Sequence, residues 1–209
     1  MSLATAHLTT ADPILGAFIA RVGRLPPRPV QHTEPYEALL SAVAYQQLHA
    51  RAAEAILGRL KDVCAGALPT PDTLLALTEE QLRACGFSAS KMAALRDVAA
   101  KASDGTIPTR AQANRLADDE LIARLTSIRG VGRWTVEMLL IFTLRRPDVL
   151  PVDDFGVREG FRVLHGLEAQ PKPKALAQVG EAFAPYRTTA ALYLWKAADM
   201  GRANARTSA

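Results

Sequence analysis

Cysteine is nearly absent: the chain of 209 residues carries only Cys64 and Cys85, too few for a disulfide framework or for a four-cysteine zinc or iron–sulfur site. They read as reduced thiols. The four histidines, His7, His32, His49 and His165, are scattered, with no HExxH pair and no Cys–His pair at metal-ligand spacing, which argues against a catalytic transition metal. No apolar run approaches the roughly 18 residues a membrane-spanning helix needs. The start, MSLATAHLTTADP, lacks the basic and apolar regions of a signal peptide. The expectation is a soluble, intracellular protein with no membrane partner. Alternating β-branched runs bounded by hairpin turns are also missing, so the chain should be all-α.

Apolar residues make up 49% of the chain and aromatic residues 6%, enough for one compact domain or two small lobes sharing an interface. A net charge of +4 with a sequence pI near 9.3 suits a polyanionic partner without establishing one.

Helical periodicity predicts a first helix over 12–23, closed by Gly23 and the proline-rich RLPPRP. A second starts near TEPYEALL, with Thr33 as N-cap and Pro35 in the first turn, and runs to about 63. Tyr36, Leu39, Leu40, Val43, Ile56, Leu57 and Leu60 form its core stripe. The polar QQLHAR interrupts that stripe: either it faces something other than the core, or the helix breaks there. Short helices follow at about 72–77 and 79–84, then a stop at Gly86 and a helix from SASKMAALRDVAAKA. Two more short helices lie near 110–115 and 118–127, and a final set near 154–165, 173–183 and 187–200. Residues 201–209, GRANARTSA, read as a flexible tail.

The most informative stretch is LTSIRGVGRWTVEMLLIF, residues 125–142. Leu121, Ile122, Leu125 and Ile128 form one apolar face and Val136, Leu139, Leu140 and Phe142 another, the pattern of two packed helices joined by a very tight hairpin. Gly130 and Gly132 permit positive φ and remove Cβ atoms, so the hairpin backbone can approach a large ligand. N–H groups at the start of the second helix would then meet a phosphate in a favourable dipole field, with Arg129 and Arg133 adding charge. Such a site grips nucleic acid without reading its sequence. The plainer alternative is a corner in which glycine merely makes the turn.

This stretch resembles the helix-hairpin-helix of the HhH-GPD superfamily of DNA glycosylases, usually L-P-G-[IV]-G-x-x-T-A followed by a Gly/Pro-rich loop and an aspartate, here RRPDVLPVDDFGVREGF. Within that superfamily GVGRWT, PVDDF and PYRTTAALYLW are similar, in the same order, to motifs of the AlkA-like 3-methyladenine DNA glycosylases. With LLSAVAYQQLHARAA and GFSASKMAALRDVA the resemblance covers about residues 34–200. Arg129 stands where the hairpin proline usually does. The chain is too short for the N-terminal β domain of longer AlkA-like members.

The resemblance implies a two-lobed, all-α glycosylase fold: one lobe over 36–142 with the hairpin at about 118–142, the second from 1–35 plus 143–200, and a catalytic cleft between them. It implies a monofunctional enzyme that flips an alkylated base of the 3-methyladenine or 7-methylguanine type out of duplex DNA. Hydrolysis of the N-glycosidic bond would leave an abasic site, with water as co-substrate and no cofactor for catalysis. Asp154 aligns with the catalytic carboxylate, which would stabilise positive charge on the sugar and orient water. Asp153 beside it reads as a helix cap, and capping is the plainer alternative for Asp154 as well. Trp134 occupies the position where lyase relatives carry an attacking lysine, so no lyase activity is expected.

Trp134, Trp195, Phe155 and Met138 match positions lining the base pocket, where an aromatic face would attract a cationic alkylpurine; the alternative for Trp195 is simple core. QQLH matches the helix-end wedge, placing Leu48 as the plug for the emptied base stack and Gln47 beside it, against the alternative of Leu48 in the core. Phosphate contacts fall to Gly130, Val131, Gly132, Arg133 and Arg129. Hairpins of this family often hold a structural Na+ or K+ through backbone carbonyls, here those of Thr126, Ile128 and Val131. The implied partner is damaged double-stranded DNA, acted on by a monomer in the cytoplasm, at the nucleoid of a bacterium or in the nucleus of a eukaryote. Two rivals stand: a non-catalytic helix-hairpin-helix DNA-binding protein, which would survive loss of Asp154, and a glycosylase for another lesion class.

Overall fold

The computed structural model of the chain describes residues 2–27 and 34–207, and every regular element among them is helical. It divides into two compact units, residues 30–144 and residues 1–29 with 145–209.

The chain opens on α1 (Leu3–Ala11), which periodicity did not predict because its one buried residue, Leu8, makes no stripe. Ser2 caps α1 by accepting the Thr5 N–H. Asp12 caps α2 (Pro13–Val22) with one carboxylate oxygen, which accepts from Ile14 and Leu15 at 3.0 and 3.1 Å. Gly23 ends α2 at φ 72°, a conformation glycine adopts without strain.

In residues 30–144 the predicted long helix is two helices, α3 (Pro35–Tyr45) and α4 (Ala50–Val63). The polar interruption breaks it, with Gln47 at φ 56°. The expected N-cap Thr33 lies outside the described residues, and Glu34, in the N-cap position, makes no side-chain cap. Next come α5 (Pro71–Ala76), α6 (Glu79–Cys85), α7 (Ala89–Ser103) and α8 (Arg110–Ala113), capped in turn by Thr70, Thr78, Ser88 and Thr109. The hairpin pairs α9 (Asp118–Leu125) with α10 (Arg133–Met138), which passes into a π-helical turn over Leu139–Thr143. Leu121, Leu125, Ile128, Val136, Leu139 and Leu140 are buried, while Ile122 and Phe142 are half-buried. Helix α3 packs against α4, α7 and the π-helical turn, and α7 also against α5 and α6. The π-helical turn that follows α10 thus rests on α3.

The other unit resumes with α11 (Phe155–His165), α12 (Pro173–Gly180) and a 3-10 turn over Glu181–Phe183. It ends on α13 (Arg187–Thr207). The helix expected near 187–200 continues through Thr207, since alanine and arginine favour helix and no proline intervenes. Helices α11 and α13 approach so closely that a Cβ at Gly160 would run into the backbone of Leu194. Leu8, Leu15, Phe18, Phe183 and Tyr193 form one core cluster of this unit, and Val157, Phe161, Leu176 and Leu194 a second. No helix of the described residues is long and apolar enough to cross a membrane.

Candidate active site and nucleic-acid interface

Gly130 has φ 76°, so the turn itself requires glycine there. A Cβ at that position would also press on Ala94 of α7 at 3.1 Å. Gly132 differs: its φ is −90° and a Cβ would meet nothing within 4 Å. Neither backbone nor packing within the chain demands its smallness, which leaves room beside the start of α10 for a group outside the chain. Two residues that motif reasoning passed over hold the turn from behind. Asp97 accepts the Arg129 N–H at 2.7 Å, and Gln46 donates its amide to the Gly130 carbonyl at 2.7 Å.

Two of the expected phosphate contacts change. Val131 is buried and its N–H already donates to the Ile128 carbonyl at 3.0 Å, because that bond closes the turn; the N–H is therefore turned inward rather than offered to a phosphate. Arg133 donates through Nε to the buried Glu137 carboxylate at 3.0 Å, so part of its charge is spent one turn down its own helix, although its side chain stays more than half exposed. Arg129 is exposed. As for the cation site, Thr126, Ile128 and Val131 offer neutral carbonyl oxygens, and the Ile128 oxygen keeps a second lone pair beyond its bond to Val131. Uncharged oxygen donors fit a hard monovalent ion.

Trp134, in the first turn of α10, is 50% exposed, and Met138, one turn on, is half-buried. Four residues apart on a helix, they share a face. The segment between α3 and α4 puts Leu48 at 39% exposure, which decides against its being core. Gln47 beside it is exposed, and Tyr45 presents 38% of its surface. Lys91 ties the end of α3 by donating to the Ala44 carbonyl at 2.8 Å, and burial pulls its ammonium pKa down. Gln46 thereby links this segment to the hairpin turn within one unit.

In the other unit Asp154, and not Asp153, is the N-cap of α11. Asp153 is exposed; it lies one residue too early in the turn over 152–153 to reach the helix N–H groups. Asp154 Oδ1 accepts the Val157 N–H at 2.8 Å and the Trp195 indole N–H at 2.7 Å. The carboxylate that caps α11 is thus also held by a side chain from α13. Trp195, half-buried on α13, is neither plain core nor remote from the acid. Phe155, the next residue after Asp154, is 64% exposed.

The segment carrying Asp154 is pinned by the motif that precedes Trp195. Thr188, buried, accepts the Val149 N–H at 3.0 Å and donates to the Arg146 carbonyl at 2.8 Å. Arg187 pairs with Asp148 through two bonds of 2.8 Å each, and this guanidinium holds the Asp148 carboxyl below its usual pKa. Bidentate geometry of this kind fixes orientation as well as distance.

The sequence profile of the HhH-GPD superfamily base excision DNA repair proteins matches residues 40–185. The chain belongs to that superfamily. DNA-3-methyladenine glycosylase 1 of Schizosaccharomyces pombe is 46% identical over 202 residues, covering 96% of this chain and 89% of the relative. Among solved structures, the S. pombe 3-methyladenine DNA glycosylase in complex with abasic DNA shares 47% identity at a TM-score of 0.83, over 93% of this chain and 96% of that one. A DNA-3-methyladenine glycosidase from Bacillus halodurans shares 37% at a TM-score of 0.85, over 94% and 89%. The HhH-GPD match spans both the hairpin and the acid, and Trp195 lies just beyond it. Gln46 and Asp97 fall within the matched range, so the supports of the hairpin turn belong to the superfamily region of the chain, whereas Arg187 and Thr188, like Trp195, lie beyond it.

Proposed function

We propose that this protein is a monofunctional DNA glycosylase of base excision repair that releases alkylated bases, of the 3-methyladenine and 7-methylguanine type, from damaged duplex DNA. The observation that carries the reading is the carboxylate of Asp154, fixed at a helix start by the Trp195 indole and the Val157 N–H. A carboxylate held in that way is preorganised to face the electron-poor sugar as the base departs, and to orient the attacking water. The S. pombe relative solved with abasic DNA is bound to the kind of product this reaction leaves.

Each remaining residue takes a role from its exposure. Gly132 and the neighbouring backbone at the start of α10 approach a phosphate, with Arg129 supplying charge and Arg133 a part of it. Leu48 enters the gap left by the flipped nucleotide, with Gln47 beside it. In one unit Trp134 with Met138, and in the other Phe155 with Trp195, each offer aromatic surface suited to the base; a cationic purine over an aromatic ring gains about 0.5–2 kcal/mol, and its charge makes it a good leaving group. Trp134 has no amine with which to form a Schiff base, so the backbone stays uncut and an abasic site is the product. A Na+ or K+ on the carbonyls of Thr126, Ile128 and Val131 would brace the hairpin turn and take no part in the chemistry. The protein acts as a monomer where the genome is, at the nucleoid or in the nucleus.

The test is release of free bases from methylated duplex DNA, resolved by chromatography, for the native protein and Asp154→Asn, with DNA binding measured in parallel. Asparagine keeps an oxygen that can accept from both Val157 and Trp195 and removes only the charge. Free alkylpurines from the native protein alone, with binding retained in the variant, support the reading. Binding without base release from either protein would make this a non-catalytic DNA binder or a glycosylase for another lesion class.

A further inference from the structure

We infer that Gly156 is a positioning residue for the Asp154 carboxylate: its missing Cβ is the slot through which the Trp195 indole reaches the acid. The inference rests on the reading of Asp154 above. Gly156 lies in the first turn of α11, and no positive φ calls for glycine there. Alanine would suit a helix better. A Cβ at this position would stand 2.7 Å from Trp195 Cδ1, 3.1 Å from its Nε1 and 3.2 Å from Asp154 Oδ1. The first of these is closer than non-bonded carbons come, and the indole, a rigid bicycle with two side-chain torsions, cannot fold out of the way as a lysine would.

The carboxylate is clamped on Oδ1 by one backbone donor, Val157, and one side-chain donor, Trp195. The backbone donor comes with the helix and survives any substitution at 156. The indole donor survives only while position 156 carries no side chain, so glycine there keeps the second clamp closed. Two donors on one oxygen help to set the plane of the carboxylate, and loss of the indole donor weakens that hold on rotation about the Cβ–Cγ bond. A misplacement of about 1 Å in a catalytic group can cost on the order of 100-fold in rate.

The experiment compares Gly156→Ala, Trp195→Phe, the double variant and Asp154→Asn with the native protein. It reads the single-turnover release of bases from methylated duplex DNA, binding to a duplex carrying an abasic site, and melting temperature. Gly156→Ala should slow release about 10- to 100-fold with binding unchanged and melting no lower than that of Trp195→Phe, and in the Trp195→Phe background it should slow release no further. Native-rate release by Gly156→Ala overturns the inference, as does an equal further loss in the Trp195→Phe background. A rate loss that tracks a fall in melting temperature below that of Trp195→Phe makes Gly156 a packing residue and overturns it too. If Asp154→Asn retains activity, the reading of Asp154 fails; if it is inactive while Gly156→Ala works normally, only this inference fails.

Discussion

At the hairpin, what faces outward is main chain around Gly132 at the start of α10, and side chains stand behind it: Asp97 on the Arg129 N–H and Gln46 on the Gly130 carbonyl. At the start of α11 the arrangement is reversed. There the functional group is a side chain, Asp154, held by the main chain of Val157 and by Trp195. On the function proposed above, the difference follows from what each region would recognise. A phosphate is met by many equivalent donors, which backbone supplies at any sequence, whereas one charge on a sugar needs a single carboxylate in a single plane. The hairpin should therefore tolerate side-chain change outside its glycines, and the acid region should not.

The largest effect should come from Asp154. Asp154→Asn is expected to lose more than about 100-fold in excision while melting near the native temperature, because asparagine caps as well as aspartate does; Asp154→Ala should lose the same activity and about 1 kcal/mol of stability besides. If Asn and Ala variants melt alike, the cap contributes nothing and the comparison weakens. Next comes Thr188→Val, which deprives the Val149 N–H of its acceptor in a buried setting. Urea unfolding should show a loss of about 1–3 kcal/mol, and excision should fall because the segment bearing Asp154 is no longer pinned.

At the hairpin the two glycines should separate cleanly. Gly130→Ala must take a left-handed conformation and should cost about 1–2 kcal/mol. Gly132→Ala should leave stability unchanged and weaken binding to duplex DNA, since its added methyl projects where none of the described residues lies. Equal loss of stability from both would mean that Gly132 serves the turn and not a ligand.

The smallest effect lies in the unit carrying Asp154. Hydrogen bonds from Arg162, then from Gln170, hold the Glu159 carboxyl down to about 2 from an ordinary 4.5. A depressed carboxylate stabilises the folded state at pH above its unfolded value, and that stabilisation drains away as pH falls from about 4.5 towards 2. Urea midpoints measured across that window should decline less steeply for Glu159→Gln than for the native protein. Parallel slopes would show that this network does not register in stability.

Much of the fold could be read in the chain because helices announce themselves locally. Proline at a first turn, a hydroxyl cap three residues ahead of an N–H, and a glycine stop are all short-range signals, and they mark α2, α5, α6 and α7. The misses have local causes too. Helix α1 buries only Leu8, so its sequence shows no stripe, and α13 runs past its apolar face on helix propensity. In the hairpin, Gly130 was legible as a turn glycine, but the Val131 N–H as the one that closes the turn was not, because which N–H does so depends on φ and ψ and not on residue type. The pairing of Arg133 with Glu137 was not legible, because spacing permits a partner one turn away on the same helix but does not compel it.

The sequence by itself determined an all-α chain, a tight hairpin around Gly130 and Gly132, and an aspartate at a helix start followed by an aromatic. Each of these depends on backbone preferences within a few residues. Only the tertiary structure decided that Gln46 reaches a carbonyl 84 residues away, Asp97 an N–H 32 away, and Trp195 an acid 41 away. It also decided that Leu48 is offered to solvent rather than buried. Such contacts depend on how helices pack and on where a missing Cβ leaves room, and packing is a property of surfaces that meet in space, not of neighbours along the chain.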